Sequence, residues 1–253
     1  MAKLLHRYRQ GLFLWKQLRP FSAFRLSLAE MIRRLIDKDA VVSYSQAGED
    51  RLIEQILFQF AEYDRERIYV DVGANEPIRK SNTFRLYVRG WHGLAIDGND
   101  EIVRRYQRNR PRDLAICAIV SKECRDATFQ IMADPALSRI SGPDAVTENT
   151  NIIESRALRT TTLAALFEQH GIPHYFGLLN IDVEGSDFDV LSSFDISIYR
   201  PALIVIEMHD FAVDTAGNNR IFAYLVSANY QMVAYAGRNG FFLDRSVYPA
   251  SQH

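Results

Sequence analysis

The chain has 253 residues, enough to bury a full hydrophobic core, and its 24% of charged residues is ordinary for a globular protein. A formal net charge of −1 gives no reason to expect a nucleic-acid-binding protein. No run of residues approaches the roughly 18 uncharged apolar positions of a membrane-spanning helix. Two cysteines are too few for a disulfide framework or a four-cysteine zinc site, which favours the reducing cytoplasm.

The first 40 residues differ in character from the rest. They carry nine Lys and Arg against three acids, a net charge of +6, and Pro20 separates two stretches with apolar residues at helical spacing. The pattern predicts a basic amphipathic helical arm over residues 1–40, followed by one catalytic domain over residues 41–253. The basic faces suit an anionic membrane surface, but packing on its own domain or on a partner subunit explains the apolar stripes as well.

After a polar loop and an amphipathic helix within residues 43–60, strands and helices alternate. Strands are predicted near 68–72, 93–97, 114–119, 127–131, 177–182, 202–207, 230–236 and 240–245, and helices near 81–89, 100–109, 161–170, 186–194 and 217–228. This alternation predicts an α/β fold with a doubly wound, mostly parallel sheet covered on both faces. Residues 237–240 are a hairpin signal, so the last strand should be antiparallel to its neighbour. Residues 133–160 show no clean period and are expected to form an ordered insertion or lid.

The first predicted strand and the turn after it have the layout of a nucleotide-binding site. Asp71 lies at the carboxyl end of this strand, Gly73 begins the turn, and the second strand ends at Asp97, where an acid binds ribose hydroxyls. A dinucleotide fingerprint needs three glycines, whereas this turn has one glycine and a proline, Pro77, in place of an amide donor. Phosphate binding is therefore disfavoured. S-adenosylmethionine fits better, with Asp71 or Asn75 facing its ammonium or carboxylate group.

Two later strands end in side chains suited to chemistry. One runs into Asp182 and Glu184, and the next ends near Glu207 and His209. Any of Asp182, Glu184 and His209 could assist the removal of a proton from an acceptor hydroxyl, and His209 is the best single candidate for a general base. Asp182 and Glu184 could instead bind a divalent ion, Mg²⁺ or Mn²⁺. A structural histidine and a simple turn after Glu184 are the alternatives.

Several short motifs occur in an order and spacing that resemble the FkbM-type S-adenosylmethionine-dependent methyltransferases. They are residues 45–50 (SQAGED), 70–75 (VDVGAN), 81–83 (SNT), 90–93 (GWHG) with Asp97, 162–163 (TL) and 180–185 (NIDVEG). The resemblance covers about residues 43–210 and departs from the common pattern at Pro77, where many members have a second glycine. It implies a Rossmann-like class I methyltransferase fold and O-methylation in polysaccharide or natural-product biosynthesis.

The same resemblance implies roles for individual cofactor-binding residues. Asp71, Gly73 and Asn75 would line the methionine part of S-adenosylmethionine, and Asp97 would hold the ribose. The remaining implied positions are Gln46 and Asp50 at the N-terminal side of the pocket, Ser81 and Asn82 at the start of the next helix, and Asp113, Ala118 and Ile119 at the adenine edge. A solvated turn over residues 110–113 is the alternative reading of Asp113.

These patterns together predict an S-adenosylmethionine-dependent O-methyltransferase acting on a small-molecule or glycan hydroxyl. Specificity would come from residues 133–160 and from the N-terminal arm. A nicotinamide-dependent oxidoreductase on a similar sheet is one alternative, although the missing glycines argue against it. A non-catalytic module that keeps the fold and uses the arm to bind a membrane or an assembly is the other.

Overall fold

The fold is described from a computed structural model, which covers residues 42–59, 67–133, 139–141 and 152–246. The predicted N-terminal arm lies outside the described residues. Among these residues no helix combines the length and the apolar character needed to cross a membrane.

The helices are α1 (Glu49–Gln59), α2 (Phe84–Val88), α3 (Asp100–Asn109), α4 (Leu163–His170), α5 (Asp187–Leu191) and α6 (Arg220–Ser227), with a 3-10 helix over Val213–Asn218. The strands are β1 (Ile68–Val72), β2 (His92–Asp97), β3 (Leu114–Cys117), β4 (Asp126–Met132), β5 (Arg139–Ser141), β6 (Ile152–Arg159), β7 (Tyr175–Ile181), β8 (Arg200–Glu207), β9 (Tyr230–Ala236) and β10 (Asn239–Asp244). Every predicted strand is present, with small differences at the ends.

Seven strands form one large sheet in the order β3-β2-β1-β7-β8-β10-β9. The first five in this order are parallel, and β10 is antiparallel to both β8 and β9. The architecture is mixed α/β with an antiparallel edge, which is compatible with a methyltransferase fold. The chain moves outward from β1 to β3 and later returns to β7 on the other side of β1. The carboxyl ends of β1 and β7 therefore flank a switch point, where open α/β sheets hold ligands.

The centre of the large sheet is apolar on both faces because helices cover both sides. Leu203 and Ile204 are adjacent in β8 and both fully buried, yet they belong to different core clusters. Ile204 shares its cluster with Phe167 of α4, and Leu203 shares its cluster with Ile53 of α1. An uninterrupted apolar run, rather than an alternating one, is the pattern that such a doubly covered strand requires.

The predicted hairpin closes the antiparallel edge of the sheet. Gly237 and Arg238 connect β9 to β10 and have positive φ angles of 57° and 68°. Two consecutive residues in this region form the tight turn whose twist matches that of the flanking strands. The prediction that the last strand is antiparallel is confirmed.

The strand predicted near 127–131 and the insertion predicted over residues 133–160 both differ from expectation. The strand predicted near 127–131 belongs to a separate three-stranded sheet in the order β5-β4-β6, not to the large sheet. Within the predicted lid, residues 152–159 form β6, which pairs antiparallel with β4. Most of β6 is exposed or half-buried, so it lacks the buried apolar face that would have marked it as a strand.

Candidate active site

A cavity that is partly open to solvent lies at the carboxyl ends of β1, β2 and β7. It brings together most of the predicted site residues, namely Gln46, Asp71, Gly73, Asn75, Asn82, Asp97, Ala118, Ile119, Asp182 and Glu184. The cavity lies at the switch point described above.

The turn after β1 has its shape because Gly73 touches the backbone that follows β7. Gly73 has a φ angle of +74°, and its amide donates to the carbonyl of Ile96 at 3.0 Å. A Cβ atom at this position would lie 1.8 Å from the carbonyl oxygen of Asp182. Glycine is therefore required by contact between two backbone segments of the protein, in addition to any approach of a ligand.

Asp97 fixes the end of β2 to this turn. One carboxylate oxygen accepts from the amide of Asn75 at 2.9 Å, and the other accepts from the amide of Asn99 at 2.8 Å. Burial raises the pKa of Asp97 from 3.8 to about 6, although both hydrogen bonds act in the opposite direction. Each oxygen has a second lone pair, so the carboxylate can also accept from a pair of ligand hydroxyls.

Asp71 lies at the floor of the cavity and is 2% exposed. It accepts from Thr83 Oγ1 at 2.6 Å and from Asn180 Nδ2 at 2.8 Å. Asn180 Oδ1 in turn accepts from Asn82 Nδ2 at 3.0 Å. Burial raises the pKa of Asp71. Thr83 and Asn180 were not among the predicted site residues, although both lie in motifs that marked the strand and helix ends.

Asp113 does not have the predicted position. It precedes β3 and lies at the amino end of the strand, whereas the cavity lies at the carboxyl ends. Its carboxylate accepts from Arg110 Nε at 2.7 Å and from the Tyr69 hydroxyl at 2.6 Å. Arg110 is fully buried, so the alternative of a solvated turn is wrong as well. Arg110 also donates to Thr83 Oγ1 at 3.1 Å and thereby supports the partner of Asp71.

Asp50 and Ser81 support the site from behind the cavity wall. Asp50 is fully buried in the first turn of α1 and accepts from the Ser43 hydroxyl at 2.6 Å and from the Tyr44 amide at 2.9 Å. Ser81 Oγ accepts from the Phe84 amide at 3.1 Å, at the start of α2. These contacts hold the loop that carries Gln46 and the helix that follows the turn, in place of the ligand contacts that were predicted.

The apolar wall of the cavity includes a residue that the sequence did not indicate. Phe129 of β4 lines the cavity beside Ile119. A Cβ atom on Gly98 would lie 2.1 Å from Ile119 Cδ1 and 2.7 Å from the Phe129 ring, so Gly98 lets both side chains approach the end of β2. Two apolar side chains here provide a surface on which an adenine ring can stack.

The residues after β7 concentrate negative charge at one side of the cavity. Burial, together with the nearby carboxylates of Glu207, Asp187 and Glu184, raises the pKa of Asp182 to about 8. Glu184 has a positive φ angle of 54°, and the amides of Val183 and Gly185 both donate to Asp187 at 3.0 Å. So much negative charge favours ligands that carry positive charge.

Glu207 is the last residue of β8, and His209 comes two positions later, beside this acidic segment. His209 Nε2 is 3.0 Å from Glu207 Oε2. One ligand atom from each of Glu184, Glu207 and His209 lies within 4.8 Å of the others. In the described part of the chain this is a group of three potential ligands, and Asp182, the other member of the predicted metal pair, is not one of them.

A second cavity adjoins the first at this point. Its lining is formed by Gly185, Asp187, Phe188, Glu207, His209, Asp210, Thr215, Asn218, Asn219, Arg220 and Ile221. Most of these side chains are polar, and the guanidinium of Arg220 lies 3.7 Å from the centroid of the Phe188 ring. Glu184, which lines the first cavity, approaches Glu207 and His209, which line the second. This arrangement provides space for two different ligands on either side of one acidic cluster.

A family model described as the methyltransferase FkbM domain matches residues 71–232, which is more than half of the chain. The match begins at Asp71, near the end of β1, and includes the strand-end acids and the acidic cluster. No curated protein and no solved structure matches the chain.

Proposed function

Because the chain belongs to the FkbM methyltransferase family, we propose that it transfers a methyl group from S-adenosylmethionine to a hydroxyl of a saccharide, glycan or related metabolite. The large sheet would then be the Rossmann-like sheet of a class I methyltransferase. The observation that carries the proposal is the cavity at the switch point, with Asp97 at the end of β2 and Asp71 at the end of β1.

The residues of this cavity suit S-adenosylmethionine. Asp97 is positioned for ribose hydroxyls, Ile119 and Phe129 offer a surface for adenine, and the acidic floor around Asp71 favours the ammonium and sulfonium charges. Pro77 is compatible with this assignment because it is buried, and its carbonyl accepts from the guanidinium of Arg110 at 3.3 Å. A turn with one glycine offers fewer amides for a diphosphate than a dinucleotide-binding turn does.

When bound, S-adenosylmethionine supplies a methyl group that its sulfonium already activates. The protein must then align the acceptor oxygen behind the methyl carbon, exclude water and accept the hydroxyl proton. The O–C bond forms as the C–S bond breaks, and the proton passes to a nearby base. Asp182 lines the donor cavity and is our first candidate for this base. His209, in the adjoining cavity, is the second.

The adjoining cavity provides the argument for a hydroxylated acceptor. Asn218, Asn219, Asp210 and Arg220 offer both donors and acceptors of hydrogen bonds, as a polyol or sugar requires. Phe188 adds an apolar face against which a sugar ring can pack. A purely apolar acceptor would leave these polar groups without partners.

The test is a comparison of ligand binding by calorimetry on the full chain. S-adenosylhomocysteine should bind with a stoichiometry of one, and NAD should not bind. The Asp97→Ala variant should weaken S-adenosylhomocysteine binding at least about tenfold, because each lost hydrogen bond to a charged group contributes about 1.5–3 kcal/mol. Binding of NAD alone would support the oxidoreductase alternative, and binding of neither ligand would support a non-catalytic module.

Turnover can be followed with radiolabelled S-adenosylmethionine and a panel of saccharides. If Asp182 accepts the proton, the Asp182→Asn variant should lose about 100-fold or more of its turnover while S-adenosylhomocysteine affinity changes little. Full turnover in this variant would remove Asp182 from the chemistry and leave His209 as the base.

A further inference from the structure

The junction of the two cavities holds three potential metal ligands from two neighbouring strand ends. Glu184 follows β7, Glu207 ends β8, and His209 comes two residues later. Their ligand atoms lie within 4.8 Å of one another, a separation that a single ion can span. Glu207 lies in the main sheet, and Glu184 and His209 come within three residues of strand ends in the same sheet.

Glu207 provides an independent reason to expect a ligand at this position. The residue is 8% exposed, and its Oε2 atom is fully buried without a hydrogen-bond partner among the described residues. The ring nitrogen His209 Nε2 lies 3.0 Å from this oxygen, a contact that is ionic only when the imidazole is protonated. A buried carboxylate oxygen left in this state is costly, and a cation beside it would remove that cost.

We propose that Glu184, Glu207 and His209 bind one divalent metal ion at the junction of the donor and acceptor cavities. Two carboxylates and one imidazole form a mixed oxygen and nitrogen ligand set, which suits a first-row ion such as Mn²⁺ better than it suits Ca²⁺. Three protein ligands leave coordination positions open for oxygens of a second ligand.

The role of the ion rests on the proposed function, although its binding does not. An ion at the junction would contact an acceptor hydroxyl in the adjoining cavity and lower the pKa of that hydroxyl. Because His209 would bind the ion, the proton would leave to solvent or to Asp182, and the oxygen would attack the methyl carbon as the C–S bond breaks. The ion would thus also orient the acceptor toward the donor cavity, which Glu184 lines.

The experiment measures binding of Mn²⁺ to the full chain after metal removal with a chelator. Calorimetry, and the loss of the electron paramagnetic resonance signal of free Mn²⁺, should both give one ion per chain. The variants Glu184→Gln, Glu207→Gln and His209→Gln should each weaken this binding at least about tenfold. Asp214→Asn removes an exposed acid on the neighbouring 3-10 helix and should leave Mn²⁺ affinity unchanged.

Circular dichroism of each variant shows that the fold is intact, and binding of S-adenosylhomocysteine to the wild-type chain keeps the two proposals separate. Glu184→Gln is the safest variant because Glu184 is only half-buried. Failure of the wild-type chain to bind Mn²⁺, or unchanged affinity in Glu184→Gln and Glu207→Gln, would overturn the metal site. The proposed function would survive that result if S-adenosylhomocysteine still bound. Mn²⁺ binding without S-adenosylhomocysteine binding would support the metal site and overturn the proposed function.

Discussion

The carboxylate of Asp97 should make cofactor binding depend on pH. Its pKa is raised to about 6, and ribose hydroxyls donate to the ionised form. Affinity for S-adenosylhomocysteine should therefore be highest well above pH 6 and should decrease as the pH falls through 6. With one linked proton, we expect binding about tenfold weaker at pH 5 than at pH 7, measured by calorimetry.

The matched variant for this prediction is Asp97→Asn, which keeps the shape of the side chain but cannot titrate. It should bind S-adenosylhomocysteine more weakly than the wild type at pH 7, and its affinity should change little between pH 5 and pH 7. A pH dependence that persists in Asp97→Asn would assign it to another group, of which Asp71 is the nearest candidate with a raised pKa.

Gly73 and Gly171 illustrate two different reasons why a position requires glycine. Both have positive φ angles, +74° and +63°, but only Gly73 would place a Cβ atom against neighbouring backbone. Gly171→Ala should cost about 1 kcal/mol from conformational strain alone. Gly73→Ala should cost about 3 kcal/mol or more, because the Asp182 carbonyl must move as well. Urea unfolding measures both, and equal losses would contradict the close approach.

Single residues at strand ends could be predicted from sequence when their role depends on local position. Asp97 and Gly73 are of this kind, since a parallel strand carries its functional residues at its carboxyl end. Asp113 and Asp50 are of the other kind, because their partners depend on which way a buried side chain points. Asp113 contacts Tyr69, which lies 44 positions away in the sequence, and no local pattern reports such a pair.

At the scale of elements, Arg110 joins the end of α3 to β1, α2 and β3. It is fully buried and pairs with Asp113, and it also lies against the rings of Tyr69, Tyr87 and Tyr106. Replacing Arg110 with Met leaves Asp113 buried without its cation. The expected loss is about 3–5 kcal/mol in the free energy of unfolding.

The control for this prediction is Arg104→Met, on the same helix. Arg104 has two surface ion pairs, with Asp100 and Glu101, but half of its side chain is exposed. Solvent screens such pairs, so the urea midpoint of this variant should remain close to that of the wild type. Similar losses for Arg110→Met and Arg104→Met would mean that the buried network contributes no more than the surface pairs.

Elements could be predicted where burial follows a simple rule. β7 and β8 are largely apolar because helices cover both faces of the sheet, and both were predicted within two residues at each end. β6 was missed because it is a largely exposed strand stabilised by pairing with β4, and that pairing involves residues far apart in the sequence. Sheet membership of β4 is non-local for the same reason.

On the scale of the whole molecule, the parallel sheet brings distant residues to one edge. The carboxyl groups of four residues meet at this edge although they are spread over most of the chain. They lie at or next to the carboxyl ends of four different strands and belong to Asp71, Asp97, Asp182 and Glu207. Each ionised carboxylate makes ionisation of its neighbours less favourable, and the positive charges of a bound ligand can offset this repulsion. We therefore expect cationic ligands to bind at this edge and to raise the thermal stability of the protein.

Ligand-linked stability should separate the two halves of this edge. S-adenosylhomocysteine at about 100 times its Kd should raise the Tm of the wild type by about 5–10 °C, through the donor cavity. Mn²⁺ should produce its own increase through the cluster of Glu184, Glu207 and His209. In a thermal unfolding experiment, Asp97→Ala should lose the first increase and keep the second, whereas Glu207→Gln should keep the first and lose the second. Loss of both increases in Glu207→Gln would mean that the cluster maintains the fold of this edge instead of binding an ion.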